Sequence, residues 1–182
     1  MKTKTKTIED KRKDRRKQTA EVFTPAKLAQ EMIDKIPDEF WKDPEKTLLE
    51  PSCGDGIFVK LSIIKRLKNK VPLHKAIHNT YAVDIMKDNI QICRKNIIDN
   101  VIIKVLKDNL SKKKITLDKY NKQLIELTAM LVHNVKQTKD TLKEDFDSWK
   151  TWTEESEAMK NHLRKLTEAN LKKKDYLSTE CA

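Results

Sequence analysis

The residues best placed to do chemistry lie between Leu48 and Phe58, which reads Leu-Leu-Glu-Pro-Ser-Cys-Gly-Asp-Gly-Ile-Phe. Gly54 and Gly56 are the only two glycines in 182 residues, where an average chain carries about 7%. So sparing a use puts them where a side chain is not tolerated, because the backbone turns sharply or a ligand lies against it. Leu48-Leu49 reads as the end of a buried strand, and Ile57 to Lys68 has helical periodicity with a basic outer face. Strand, Gly-turn and helix in that order build a cofactor site at the carboxyl end of a parallel strand. A dinucleotide fingerprint needs a third glycine at position 59, which is Val59. Two glycines alone also suit a tight turn that holds no ligand.

The elements around this turn follow from periodicity and from proline. Thr24 is a good N-cap for a helix opened by Pro25, with Leu28, Ala29, Met32, Ile33 and Ile36 at helical spacing until Pro37. Asp38 to Lys46 reads as a loop, and Asn69 to Asn79 as a loop or short helix. Thr80 to Ile85 reads as a second strand with Asp84 near its end, and Lys87 to Ile98 as a helix with Ile90, Cys93, Ile97 and neighbouring Ile98 on one face. Val101 to Leu106 is the most β-branched run and is expected to be the third strand, followed by Lys107-Asp108-Asn109-Leu110. Strands alternating with helices predict a parallel sheet covered on both faces. From Leu117 apolar residues recur in steps of three and four as far as Leu166, without glycine or proline. This predicts a long amphipathic helix or a helical hairpin with coiled-coil-like spacing. Thr151 and Glu154 have the form of a capping box, which puts a hinge near Ser148 to Thr153. The seam packs either on its own domain or on another chain.

The net charge of +11 is uneven. Met1 to Lys17 holds nine basic residues against three acidic ones, and beyond the initial Met1 its one apolar residue is Ile8. Such an arm cannot build a core; Lys11, Arg12, Lys13, Arg15, Arg16 and Lys17 are its candidate contacts to nucleic-acid phosphates. The alternative is a solvated tail. Cys53, Cys93 and Cys181 lack a Cys-x-x-Cys spacing, and His74 and His78 lack an acidic companion, so neither a disulfide framework nor a metal site is expected. No run approaches the roughly 18 apolar residues of a membrane span, and no secretory signal opens the chain, so a cytoplasmic protein is expected.

Glu21-Val22-Phe23-Thr24-Pro25, Leu48 to Phe58, Ala82-Val83-Asp84-Ile85 and Leu106-Lys107-Asp108-Asn109-Leu110 stand in the order of motifs in the adenine-N6 DNA methyltransferases of restriction-modification systems. Residues 18 to 110 resemble the amino-terminal part of that family, most specifically in Glu50-Pro51-Ser52-Cys53-Gly54-Asp55-Gly56. The resemblance implies a partial Rossmann-like α/β fold of about three parallel strands. Taken with the charge and periodicity read above, the expected organisation is a basic arm at 1–17, an incomplete S-adenosylmethionine-binding domain at 18–114 and a long helical or coiled-coil tail at 115–182. It implies S-adenosylmethionine as cofactor, held by Phe23, Thr24, Glu50, Cys53, Gly54, Gly56, Phe58, Asp84 and Asp108. Thr24 would meet the methionine carboxylate, Glu50 the methionine ammonium, Asp84 the ribose hydroxyls and Asp108 the adenine amino group, while Phe58 would supply apolar packing.

The chain departs from the family in one large respect. The Asn/Asp-Pro-Pro-Tyr/Phe motif that holds the flipped adenine is absent, since no Pro-Pro occurs and no proline follows Pro72. No catalytic residue is therefore assigned. The expectation is the cofactor-binding part of a site-specific DNA adenine methyltransferase, inactive alone. Its partners would be DNA, a second subunit carrying the catalytic motif, or another copy joined through the helical tail. The rival expectations are a non-catalytic nucleic-acid-binding or scaffold protein that retains the fold and, third, a small-molecule or RNA methyltransferase.

Overall fold

The computed structural model describes residues 22–139. The basic arm, the hinge at Ser148 to Thr153 and the seam from Leu142 to Leu166 lie outside those residues. A first helix, α1 (Ala26–Asp34), buries Ala29 and Ile33 and packs on α3 (Ile57–Lys68). Its N-cap is Pro25 and not Thr24; no side chain caps it, and the Pro25 carbonyl accepts from the Ala29 N–H at 3.0 Å. Leu28 and Met32, expected on the inner face, are each 48% exposed. The segment read as a loop contains a short helix, α2 (Asp38–Lys42), which places Trp41 in the core.

Three parallel strands follow in the order β1 (Leu48–Glu50), β2 (Thr80–Asp84), β3 (Val135–Gln137). Between β1 and β2 come α3 and the short α4 (Leu73–His78). β2 is central, with Ala82, Val83 and Asp84 buried, and β1 is an edge. In β1 the Leu48 N–H donates to the Asn79 carbonyl at 2.9 Å. By the alternation of a parallel ladder, the N–H and C=O of Leu49 point away from β2, and Leu49 is 38% exposed.

The third strand is not where β-propensity put it. Lys87–Ile97 (α5), a π-helical turn at Ile98–Ile102 and Ile103–Ser111 (α6) have helical backbone throughout, so Val101 to Leu106 is helix. The reason is packing. A strand buried on both faces would carry Lys104 inside, whereas the helix sends Lys104 and Lys107 to solvent. The extra residue of the π-turn lets Ile97, Val101, Ile102 and Leu106 all face the core. Tertiary burial overrides the intrinsic preference of β-branched residues.

Residues 117 onward are likewise not a separate tail within the described part. The helix α7 (Leu117–Asn134) packs on α4, α6 and the π-turn, and buries Leu127 and Leu131 in the common core. It then runs directly into β3, so the boundary expected at 114/115 does not divide two units. Arg94 of α5 donates to the Val132 carbonyl at 2.8 Å and, through Nε, to the Val135 carbonyl at 2.9 Å. That contact puts the middle of α5 level with the start of β3. The π-turn and α6 therefore run on toward the amino-terminal side of the sheet, and α7 returns alongside. The hairpin tip, Lys112 to Thr116, stands opposite the strands' carboxyl ends. Among the described residues no helix is long and apolar enough to cross a membrane.

Arg66 fixes the entry to β1. Its buried guanidinium donates to the carbonyls of Asp43 (3.2 Å) and Lys46 (2.7 Å) and lies 5.2 Å from the Phe40 ring centroid. Burial lowers its pKa, while nearby Asp43 acts in the opposite direction. Replacing Arg66 by Met keeps volume but strands two carbonyls, each of which gains about 1.5–3 kcal/mol from a charged donor. Arg66→Met should therefore lower unfolding free energy in urea by about 3 kcal/mol or more.

Candidate functional site

Parallel strands bring their carboxyl ends to one edge, and that edge assembles Glu50 from β1, Asp84 from β2 and the Gly-turn between β1 and α3. The turn begins by extending the ladder, since the Cys53 N–H donates to the Val83 carbonyl at 2.9 Å. It then reverses through two left-handed residues, Gly54 (φ 52°) and Gly56 (φ 84°), and Gly56 is the N-cap of α3. Its N–H donates to the Cys53 carbonyl at 2.8 Å. Asn96 of α5 anchors the turn from outside, its amide donating to the Asp55 carbonyl at 2.9 Å.

The two glycines meet different neighbours. A Cβ on Gly56 would lie 2.5 Å from the Cys93 sulfur and 3.0 Å from the Cys93 Cα, so this glycine permits the close approach of α5. A Cβ on Gly54 would lie 3.2 Å from the Phe23 ring, so there the constraint is a side chain from the segment before α1. The sequence expectation of a turn that tolerates no side chain holds for Gly56 through protein packing. At Gly54 the ring of Phe23 covers the turn.

Asp84 is the centre of the arrangement. Its Oδ2 accepts from the Gly54 N–H at 2.9 Å and its Oδ1 from the Met86 N–H at 2.8 Å, while the Asn89 amide lies 3.3 Å from both oxygens. The carboxylate is buried and has donors on both oxygens, so its first office is to tie the Gly-turn to the end of β2. A hydroxyl pair reaching it would displace Asn89, whose contacts are the longest. Glu50 differs: its Oε1 accepts from the Ser52 N–H at 3.1 Å. Burial pushes the Glu50 carboxyl above its ordinary value; the Ser52 N–H opposes this and the charge of Asp84 adds to it. Two acids thus converge at one strand edge, and a cationic ligand group would relieve both.

Cys53 is buried under the turn, and its contact with Cys93 together with burial pushes its thiol well up, so it packs as a small apolar group and not as a nucleophile. Phe58 is half-buried in the first turn of α3, and Thr24 is half-buried beside Phe23. Asp108 does not join the site. It sits on α6 in the hairpin, exposed, paired with Lys112 at 2.8 Å. It lies there because the run before it is helix, which moves it to the opposite end of the molecule. The end of the true third strand is Gln137 and the residue after it Thr138: the Gln137 amide donates to the Ile85 carbonyl at 3.0 Å, and the Thr138 N–H to the Asp84 carbonyl at 3.0 Å. Asn89, Asn96 and Thr138 are site-building residues that sequence reasoning missed, and asparagines in the first and last turns of a helix carry no motif to reveal them. Asp84 followed by a helix start three residues later, at Lys87, was the one available signal for its turn-forming bond to Met86.

No family model, curated protein or solved structure matches the chain.

Gly56→Ala combines a left-handed alanine, about 1–2 kcal/mol, with overpacking against backbone, about 1–3 kcal/mol. It should destabilise the protein by about 2–5 kcal/mol in urea unfolding. Gly54→Ala carries the first cost and meets only a movable ring, so its effect should be distinctly smaller.

Proposed function

We propose that the chain is the cofactor-binding part of an S-adenosylmethionine-dependent DNA adenine methyltransferase, with the base-holding motif supplied by another chain. The observation that carries the reading is that Glu50 and Asp84 are the last residues of two adjacent parallel strands, on either side of a two-glycine turn. S-adenosylmethionine carries an ammonium and a sulfonium, the positive groups that such an edge favours. Glu50 would take the ammonium, Asp84 the ribose hydroxyls in place of the Asn89 amide, and Gly54 with Phe23 and Phe58 the apolar flank. Asp108 has no part in it. When bound, the cofactor supplies the methyl group; this chain's residues bind and orient it.

The open side of β1 supports a second subunit. Among the described residues no strand pairs with the outer side of β1; Leu49 turns its backbone groups away from β2 and is 38% exposed, and such an edge invites another strand. The rival reading is a non-catalytic nucleic-acid-binding or scaffold protein. The donors already on the Asp84 carboxylate favour it, because they give that acid a structural reason to exist.

Calorimetric titration of the chain with S-adenosylmethionine separates the two readings. Saturable one-to-one binding is expected, and Glu50→Gln should weaken it by about 1.5–3 kcal/mol, tenfold to more than a hundredfold. Asp84 is the poorer probe, since its loss also unties the turn. A carboxyl whose folded pKa lies above its unfolded value costs stability above that pKa, and the cost vanishes as pH falls through it. Glu50→Gln should thus leave the ligand-free protein as stable at pH 7, or more so, while acidification through the raised Glu50 value weakens cofactor binding in the wild type by a step that the variant lacks. Absence of binding, or equal affinity in the variant, overturns the assignment. Methyl transfer to DNA by the pure chain would contradict the missing base-holding motif.

A further inference from the structure

The charge of the described residues is not spread evenly. From Val22 to Ile103 thirteen basic residues stand against eleven acidic ones, whereas from Lys104 to Lys122 seven lysines stand against two aspartates. The second group maps to the α6–α7 hairpin. Lys104 and Lys107 lie one turn apart on α6, Lys112, Lys113 and Lys114 form its tip, and Lys119 and Lys122 lie one turn apart on α7. All seven are exposed. Of the two acids, Asp108 is taken by Lys112.

The tip has a defined shape. The Lys112, Lys113 and Lys114 N–H groups donate to the carbonyls of Asp108 (3.0 Å), Leu110 (3.0 Å) and Asn109 (2.9 Å), with Lys113 left-handed at φ 56°. Thr116 then caps α7, accepting from the Lys119 N–H at 3.2 Å. Three consecutive ammonium side chains are held on one tight turn; Asp108 offsets Lys112 alone, and an external anion would relieve the repulsion that is left.

The form of the patch selects among anions. A single phosphate is held in a concave site by convergent donors, commonly backbone N–H groups, and here those N–H groups are spent on α6. A lipid surface wants an apolar face to insert, and the loop and its flanks offer one exposed large apolar side chain, Leu117. What remains is a set of exposed side-chain charges spread over two helices and the turn that joins them, which suits a polymer with charges along its length. We propose that the tip of this hairpin, centred on Lys112, Lys113 and Lys114, binds the phosphate backbone of a nucleic acid. It shares the nucleic-acid partner of the function proposed above and needs neither cofactor nor methyl transfer. It stands at the opposite end from Glu50 and Asp84, so it anchors the polymer without presenting a base to that edge.

The test is fluorescence anisotropy of a labelled mixed-sequence DNA duplex with the full chain, the triple variant K112Q/K113Q/K114Q, the double variant K104Q/K107Q and a chain lacking Met1–Lys17, each over a range of salt. Because all five substituted lysines are exposed, circular dichroism melts should be unchanged. The triple variant should bind more weakly at every sequence and lose about 2–3 units of log-log salt slope, at roughly 0.9 per phosphate released. The double variant should lose about 1–2 units. The arm-deleted chain should still bind and still respond to the triple substitution. Unchanged affinity and slope in the triple variant, with binding abolished by arm deletion, overturns the hairpin site and leaves DNA as a partner. No binding by the full chain overturns both. Loss of binding to phosphatidylserine vesicles in the triple variant with DNA affinity intact also overturns it, in favour of a lipid headgroup.

Discussion

The buried carboxylate of Asp84 is the interaction on which the rest of this structure depends. It sits at the end of the central strand and accepts from the Gly54 N–H, the Met86 N–H and the Asn89 amide. One charge thereby joins the turn after β1, the turn after β2 and the first turns of α5. A buried carboxylate is tolerated only when its oxygens are satisfied, so these three segments are held in one relation to each other. The Gly-turn gains its shape from this bond and from the contact between Gly56 and Cys93. Glu50 lies at the same edge: the strand register pairs it with Ala82, two residues before Asp84 on β2, near enough for the Asp84 charge to act on its carboxyl. The chemistry proposed for the edge is thus a by-product of how the sheet end is closed.

Much of this edge was legible in the residue order. Two glycines in a glycine-poor chain marked the turn, the Ile57 to Lys68 periodicity marked α3, and Thr80 to Asp84 stood out as a strand bounded by turns. The α/β class with three parallel strands followed from the alternation. What failed was the third strand, and the failure was physical. Val101 to Leu106 looks like β-structure because Val and Ile dominate it, yet Lys104 stands in the middle of the run, where a strand covered on both faces has no place for a charge. Three residues with a single apolar side chain, Val135-Lys136-Gln137, carry too little pattern to announce the true strand. The helical spacing that runs up to Asn134 hid it further. Asp108 fell with the strand it was attached to.

The corrected topology gives the molecule two ends with different physical character. At the carboxyl ends of the strands two acids and a glycine turn converge; at the far end of the α6–α7 hairpin lysines gather around a tight loop. Arg94 joins the two by holding α5 to the start of β3, so the hairpin is a continuation of the core and not an appendage. The side of β1 is the third distinct surface. It is short, and its middle residue offers backbone groups outward, which suits growth of the sheet by another chain.

The composition provides an unusually direct probe of the central claim, that the Gly-turn edge is a ligand site. Gly54 and Gly56 are the chain's only glycines, so protein labelled with nitrogen-15 at glycine alone gives two backbone amide signals, both from the turn. Titration with S-adenosylmethionine should shift both signals to saturation, and Glu50→Gln should move the midpoint to higher cofactor concentration. Two signals that stay in place at millimolar cofactor would contradict the account, leaving the turn as a purely structural closure of the sheet.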